Sequence, residues 1–290
     1  MKKILVTGAS GFVGRAFVAR WLHNYTLLTP THGELDITDE YSVDGYMMGH
    51  TPDVVLHLAA LSNTWYCQQH PDESFLVNVV GSENMARAAA RYGAKFIFFS
   101  SDQVYNGNKE RGALSEDVPV CPVNHYGCHK LEAEQRIAVV SPDAVILRAS
   151  WMYDAPQQGT AMHSDFVNNI LQAVKEGKPL SMPVREYRGI TWLRDVVGNL
   201  PHTFSLQGGV YNYGSGNSVN SYETACCFYE MLYGGDASRT ILPDYERYPV
   251  HERNLSMDND KIFRASGGSI CFPSTIDGLR LFVEMTSVAR

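Results

Sequence analysis

The chain has 290 residues, 44% hydrophobic and 19% charged, an ordinary globular composition with apolar material for one large domain or two modest ones. Its net charge of −7, with no run of Lys or Arg, argues against nucleic acid as the main partner, while a helix N-terminus could still bind a phosphate-bearing ligand. The apolar run in the opening MKKILVTGAS is too short for a secretion signal or a membrane span, so no membrane is expected and the cytoplasm is the default location.

In chain order, KKILVTG (2–8) reads as a buried strand, followed by a glycine-rich turn and the amphipathic FVGRAFVARWLHN (12–24). YTLLTP (25–30) is a second strand, ELDITD (34–39) a short third element and YSVDGYMMGH (41–50) a short helix. PDVVLHLAA (52–60) is continuously apolar, as a strand covered on both faces should be. ESFLVNVVGSENMARAAARYG (73–93) reads as one long helix ending at Gly93, and AKFIFFSSD (94–102) as a strand. NHYGCHKLEAEQRIAVV (124–140) is a helix and AVILRASW (144–151) a strand. Alternating strands and helices imply right-handed crossovers and a doubly wound parallel sheet, an α/β fold of Rossmann type.

After about residue 155 the rhythm changes. DFVNNILQAVKEG (165–177) and SYETACCFYEMLYGG (221–235) read as helices and GVYNYGS (209–215) as a strand, with Pro-, Arg- and Tyr-rich connections such as TILPDYERYPVHERN (240–254). The expected organisation is a dinucleotide-binding domain over 1–155, with 189–214 returning to it, and a smaller, irregular, interleaved substrate lobe over 156–290. Cys67, Cys121, Cys128, Cys226, Cys227 and Cys271 form no C-x-x-C pair, so buried or incidental thiols are expected and no metal site.

VTGASGFVG places Gly8, Gly11 and Gly14 three apart between a strand and a helix. The first permits a tight turn, the second lets backbone approach a pyrophosphate, and the third lets helix and strand pack closely. The pyrophosphate would sit on the helix N-terminus, which favours anions. The second strand runs into Thr29, Pro30, Thr31 and His32 with no acid until Glu34, so NADP(H) is preferred over NAD(H), which stays the alternative. His32 reads as a loop residue or as a contact to the 2′-phosphate.

Tyr126 and Lys130 are four apart at the start of a helix, on one face with Cβ atoms roughly 5–6 Å apart. A free tyrosine titrates near ~10, and bringing it near neutrality takes roughly 4 kcal/mol, which a cation about 4 Å away supplies only where the effective dielectric falls to about 20. The pair is chemistry in a sheltered site and an idle helical turn in open water. Pro122 and Asn124 give this helix an extended entry and an N-cap.

T-G-x-x-G-x-x-G, FFSSDQVYNG and YGCHK, in this order, resemble the extended short-chain dehydrogenase/reductase family. Within it the likeness is closest to the dTDP-4-dehydrorhamnose reductases, through LDITD, PDVVLHLAA, NVVGSENMARAAARYGAKFIFFSSDQVYNG, PVNHYGCHKLEAE, LRASWMY, GVYNYGSGNSVNSYETA and MDNDKI. The resemblance implies that Ser101 hydrogen-bonds a substrate carbonyl, that Tyr126 is the general acid, and that Lys130 holds the nicotinamide ribose and lowers the phenol's pKa. It implies a cofactor site of Gly8, Ser10, Gly11, Phe12, Val13, Gly14, Asp36, Ile37, Leu58, Ala59, Ala60, Asn78 and Ser100 with Tyr126 and Lys130. It implies a substrate side of Ser62, Asp102, Gln103, Trp151 and Arg188; the plainer reading of Asp102 is a loop-holding residue and of Trp151 ordinary core. Glu134 reads as a solvated helical residue or half of a structural pair.

Two stretches depart from the reductase pattern. After LAA the chain reads LSNTWYCQQHP, with Trp65 and Gln68 where the reductases carry acids, and REYRGIT keeps Gly189 and Thr191 while introducing Arg185 and Arg188, either clamping a diphosphate or forming surface ion pairs. The implied function is reduction of a nucleotide-linked 4-ketosugar, with a small-molecule nucleotide sugar as partner and a homodimer as an open assembly state. The alternatives are a sugar-nucleotide epimerase or dehydratase, or a cofactor-binding regulatory subunit without turnover.

Overall fold

The computed structural model describes residues 1–156 and 164–286. It opens with β1 (Lys3–Thr7), α1 (Phe12–Trp21), β2 (Thr26–Leu28), α2 (Glu40–His50), β3 (Val54–His57), α3 (Thr64–Gln69) and α4 (Pro71–Phe75). A π-helical turn, Leu76–Gly81, runs into α5 (Ser82–Arg91), and β4 (Lys95–Ser101) ends in a 3-10 turn, Asp102–Tyr105. Next come α6 (His125–Val140), β5 (Val145–Ala149), β6 (Trp151–Tyr153), α7 (Phe166–Glu176), β7 (Leu180–Pro183), β8 (Glu186–Arg188), β9 (Ile190–Trp192) and α8 (Leu193–Asn199). The chain closes through β10 (Gly209–Tyr213), α9 (Ser221–Tyr233), β11 (Ile241–Asp244), β12 (Arg253–Leu255), α10 (Asp260–Ala265) and α11 (Thr275–Met285).

Six strands form one sheet in the order β10-β5-β4-β3-β1-β2, every pairing parallel. The order reverses between β1 and β3, and in such sheets ligands bind outside the carboxyl ends of the strands at that reversal. Alternate residues of these strands feed two cores, which is why the strands are apolar throughout. Val6, Leu56, Ile97 and Leu147 pack with Phe17 of α1 and Leu193, Val196 and Val197 of α8. Leu5, Val55, Phe96 and Ile146 pack with Val43 and Met47 of α2, Met85 and Ala89 of α5, and Ile137 of α6. A third core joins Phe166, Ile170, Trp192, Phe228, Leu279 and Phe282, with the two-stranded pairs β11–β7, β12–β8 and β6–β9 nearby in sequence. β10 returns from this region to the edge of the main sheet.

The short third element ELDITD is a turn: the Asp36 carboxylate takes the backbone N–H (2.9 Å) and hydroxyl (2.7 Å) of Thr38, while Leu35 and Ile37 anchor it in the core. Two expectations change. AVILRASW splits at Ser150, where Ser150 N donates to the Tyr213 carbonyl, and β6 leaves to pair with β9. The helix expected over 73–93 runs from Pro71 to Arg91 with the π-helical turn inside it, and the face it buries there carries Ser74, Asn78 and Ser82, so the hydrophobic pattern does not announce the turn. Among the described residues, no helix is long and apolar enough to cross a membrane.

Candidate active site

β1 delivers the chain to Gly8 at φ 69°, a left-handed conformation that glycine adopts without steric cost. A Cβ at Gly8 would lie 2.7 Å from Ala59 N, and one at Gly14 would lie 2.2 Å from the Gly8 carbonyl oxygen. The turn is thus pressed against the exit of β3, and α1 starts against the turn. Ser10 and Gly11 are exposed; Gly11 is the N-cap, no side chain caps the helix, and its first turn, opened by Phe12 and Val13, carries no acid. A helix start with a positive dipole end and no side-chain cap hydrogen bond fits a pyrophosphate.

The exit of β3 is held from below. Thr7 Oγ1 and His57 Nδ1 are 2.8 Å apart, His57 Nε2 and Ser82 Oγ 3.1 Å, and Ala59 N donates to Thr7 Oγ1 at 3.3 Å. Burial, then the charge of Lys130, pushes the His57 imidazole down to about 3, so it is neutral at pH 7. Leu58, Ala59 and Ala60 line this exit half-buried. Asn78, inside the π turn, accepts from Leu61 N (2.9 Å) and donates to Leu61 O (3.0 Å), holding the loop by its backbone. Asp36 and Ile37 point their side chains into the Thr38 turn and the core, leaving backbone as what this loop can present.

Tyr126 and Lys130 lie on the inner face of α6, both buried. Asn124 caps that helix, accepting from Gly127 N at 2.7 Å. Ser101, the last residue of β4, lies beside the Tyr126 phenol, donates to Asp102 Oδ1 at 3.2 Å and accepts from Gln103 N at 3.2 Å. Lys130 Nζ donates to the Phe99 carbonyl at 2.8 Å, 5.9 Å from the centroid of the Tyr126 ring. Burial pushes this ammonium down to about 8, against the raising effect of Glu134. Burial pushes the Tyr126 phenol well above its ordinary range, opposed by the neighbouring Ser101 hydroxyl and the Arg188 charge. Ser100 donates instead to Glu134, which pairs with Arg148 Nη2 at 2.8 Å; Ser100 belongs to that buried ion pair rather than to the Ser101–Tyr126 group, and Glu134 is its structural carboxylate.

On the side opposite the glycine turn, Asp102 and Gln103 are buried, and Arg188 reaches Asp102 with Nε (2.9 Å) and Nη2 (3.3 Å) while lying over the half-buried Trp151 ring at 4.8 Å. Ser62 is exposed on the loop before α3. The departing stretch forms α3 itself, capped by Asn63 accepting from Tyr66 N at 2.9 Å. Trp65 is 71% exposed, and Gln68 accepts from His125 N at the start of α6.

Some contributors carried no sequence signal. The fully buried Cys67 thiol donates to Leu61 O at 3.3 Å, on the loop that Asn78 also holds. Arg253 donates to Gln103 Oε1 at 3.0 Å and also pairs with Glu186. Burial alone would raise the Glu186 carboxyl, but Arg253 and Arg188 outweigh it and hold it below the usual carboxylate range. Partners separated by 67 to 150 residues leave no local pattern.

The family described as RmlD substrate binding domain matches residues 1–250. A dTDP-4-dehydrorhamnose reductase of Mycolicibacterium smegmatis is 28% identical over 257 residues, 86% of this chain and 74% of that protein. Methionine adenosyltransferase 2 subunit beta of Xenopus laevis is 28% identical over 245 residues, 78% of this chain and 70% of that protein. Among solved structures, a Bacillus anthracis dTDP-4-dehydrorhamnose reductase in complex with NADP superposes with a TM-score of 0.84 at 22% identity, covering 99% of this chain and all of that one. The glycine turn, the order of the sheet and a match across most of the length agree: the chain belongs to the RmlD substrate-binding-domain family of extended short-chain dehydrogenase/reductases.

Proposed function

We propose that the chain is a reductase of a nucleotide-linked 4-ketosugar that prefers NADP(H) and accepts NAD(H). The observation that carries the reading is the burial of Ser101, Tyr126 and Lys130, with Ser101 at the carboxyl end of β4, two strands from the glycine turn, and the Lys130 ammonium 5.9 Å from the centroid of the Tyr126 ring. The reduced dinucleotide, when bound, supplies a hydride to the carbonyl carbon.

The chain's residues handle the oxygen and its proton. Gly8, Gly11 and the start of α1 hold the pyrophosphate through backbone. Tyr126, kept protonated by burial, gives its phenolic proton to the oxygen as negative charge develops there. Ser101 orients that oxygen with its hydroxyl. Lys130 stabilises the phenolate left behind: at about 6 Å and an effective dielectric near 20, a unit charge contributes roughly 3 kcal/mol. For the cofactor, β2 ends without a carboxylate and Thr31 and His32 are exposed beside it, which supports room for a 2′-phosphate. Glu34 folds back onto Thr31 N (2.8 Å) and Oγ1 (2.9 Å), and its charge works against that phosphate, so the preference is modest.

The test incubates the protein with NADPH and a panel of nucleotide-linked 4-ketosugars and follows the reduced cofactor by absorbance. Consumption that drops ~10²- to 10⁴-fold in Tyr126→Phe supports the reading. A second reading, a cofactor-binding subunit without turnover, is favoured by the likeness to the Xenopus laevis protein, by its name a subunit of another enzyme. NADPH binding with no turnover on any keto substrate selects it.

A further inference from the structure

β8 and β12 run side by side in parallel, Arg253 opposite Glu186 and Leu255 opposite Arg188. They send two arginines onto two successive residues of the turn that follows Ser101. Arg188 grips Asp102 through Nε and Nη2, and Asp102 Oδ1 in turn accepts the Ser101 hydroxyl at 3.2 Å. Arg253 donates from Nη2 to Gln103 Oε1 (3.0 Å), from Nε to Asn106 Oδ1 (2.6 Å) and from Nη1 to Glu186. Gln103 Oε1 also accepts from Asn124 Nδ2 at 3.2 Å, and Asn124 caps the helix that carries Tyr126.

Two guanidinium charges face two carboxylates, Asp102 and Glu186, so this group holds no surplus positive charge for a diphosphate. Arg188 spends Nε and Nη2 on Asp102, and Arg253 spends Nε and Nη2 on Asn106 and Gln103. Building on the reductase reading, we propose that Arg188 and Arg253 are positioning residues: Arg188 acts through Asp102 on the Ser101 hydroxyl, and Arg253 acts through Gln103 and Asn124 on the turn that presents Tyr126. The smaller strand pair thereby sets the geometry of two reacting groups that it does not itself carry. A fork that fixes a carboxylate at two points does this, and a lysine, with a single point charge, does it only in part.

The experiment makes Arg188→Met, Arg188→Lys and Arg253→Met and measures each NADPH-loaded protein in two ways. Amide hydrogen exchange is read at Gln103 and Gly127, whose N–H groups bond Ser101 Oγ and Asn124 Oδ1, and at Leu5 and Val55 in the main sheet. We expect roughly tenfold faster exchange at Gln103 in Arg188→Met and at Gly127 in Arg253→Met, with the sheet amides unchanged. Steady-state kinetics on the 4-ketosugar should show kcat lowered by ~10- to 100-fold with KM little changed, and partial recovery in Arg188→Lys. Raised KM at unchanged kcat overturns the proposal in favour of a substrate clamp. Equal acceleration at all four amides reduces the arginines to general stabilisers and also overturns it. If the wild-type protein reduces no ketosugar, the reductase reading fails separately and the exchange pattern alone decides whether the arginines position the turn.

Discussion

Arg148 and Lys130 are both buried cations served by α6, and the protein treats them in opposite ways. Arg148 is matched: Glu134 takes three of its contacts, Tyr105 OH lies 2.8 Å from Nη1, and the guanidinium is held more firmly charged than usual. Lys130 rests on a backbone carbonyl and the face of Phe98, and burial lowers its pKa to about 8. Glu134, one turn along the same helix, serves the arginine at contact distance and the lysine only through space. A buried charge that is fully paired is structure; one held at a cost beside a phenol is poised for a ligand.

Substitutions should separate these roles. Arg148→Met strands Glu134 and is expected to lower unfolding stability by ~3–5 kcal/mol in denaturant titration while leaving NADPH affinity near wild type. Lys130→Met is expected to do the reverse: a midpoint unchanged or raised, with NADPH binding weakened and turnover lowered. Loss of stability in Lys130→Met would place the lysine with Arg148 as structure.

The pH dependence sharpens the same contrast. The folded Lys130 has a pKa lowered from 10.5 to about 8, so between those values the unfolded chain holds a proton that the folded chain has released, and stability rises with pH across that window. The difference between wild type and Lys130→Met, measured by denaturant melts from pH 8 to 10.5, should show this increment. His57, lowered from 6.5 to about 3, has the same sign at lower pH: stability is lost as pH falls below 6.5. A smaller effect concerns the cofactor. Glu34→Gln should improve NADPH binding relative to NADH by roughly twofold to fivefold, the scale of an exposed charge contact, and less at high salt; an unchanged ratio of Kd values removes Glu34 from selectivity.

How far the sequence could be read follows from the range of each interaction. Gly8 and Gly14 were legible because a turn and a close approach need glycine at fixed spacing, and Tyr126 with Lys130 because a helix puts i and i+4 together. β1, β3, β4 and β5 were legible because burial on both faces demands continuous apolar runs. β8 and β12 were not: three residues each, rich in charge, they are defined by what Arg188 and Arg253 touch across the fold. The partners of Ser100 and Asp36 were not legible either: Ser100, facing the other way from Ser101 on the strand, sends its hydroxyl to Glu134, and Asp36 sends its carboxylate to Thr38.

The central claim is that Tyr126 and Ser101 receive the oxygen of a carbonyl reduced by the bound dinucleotide. It is tested most directly by incubating the protein with 4-deuterated NADPH and a nucleotide-linked 4-ketosugar, then locating deuterium in the product by mass spectrometry and NMR. The account predicts one deuterium at the former carbonyl carbon, stoichiometric with cofactor oxidised, and almost none with Tyr126→Phe. Bound cofactor with no deuterium in any sugar, or label transfer undiminished in Tyr126→Phe, would contradict it.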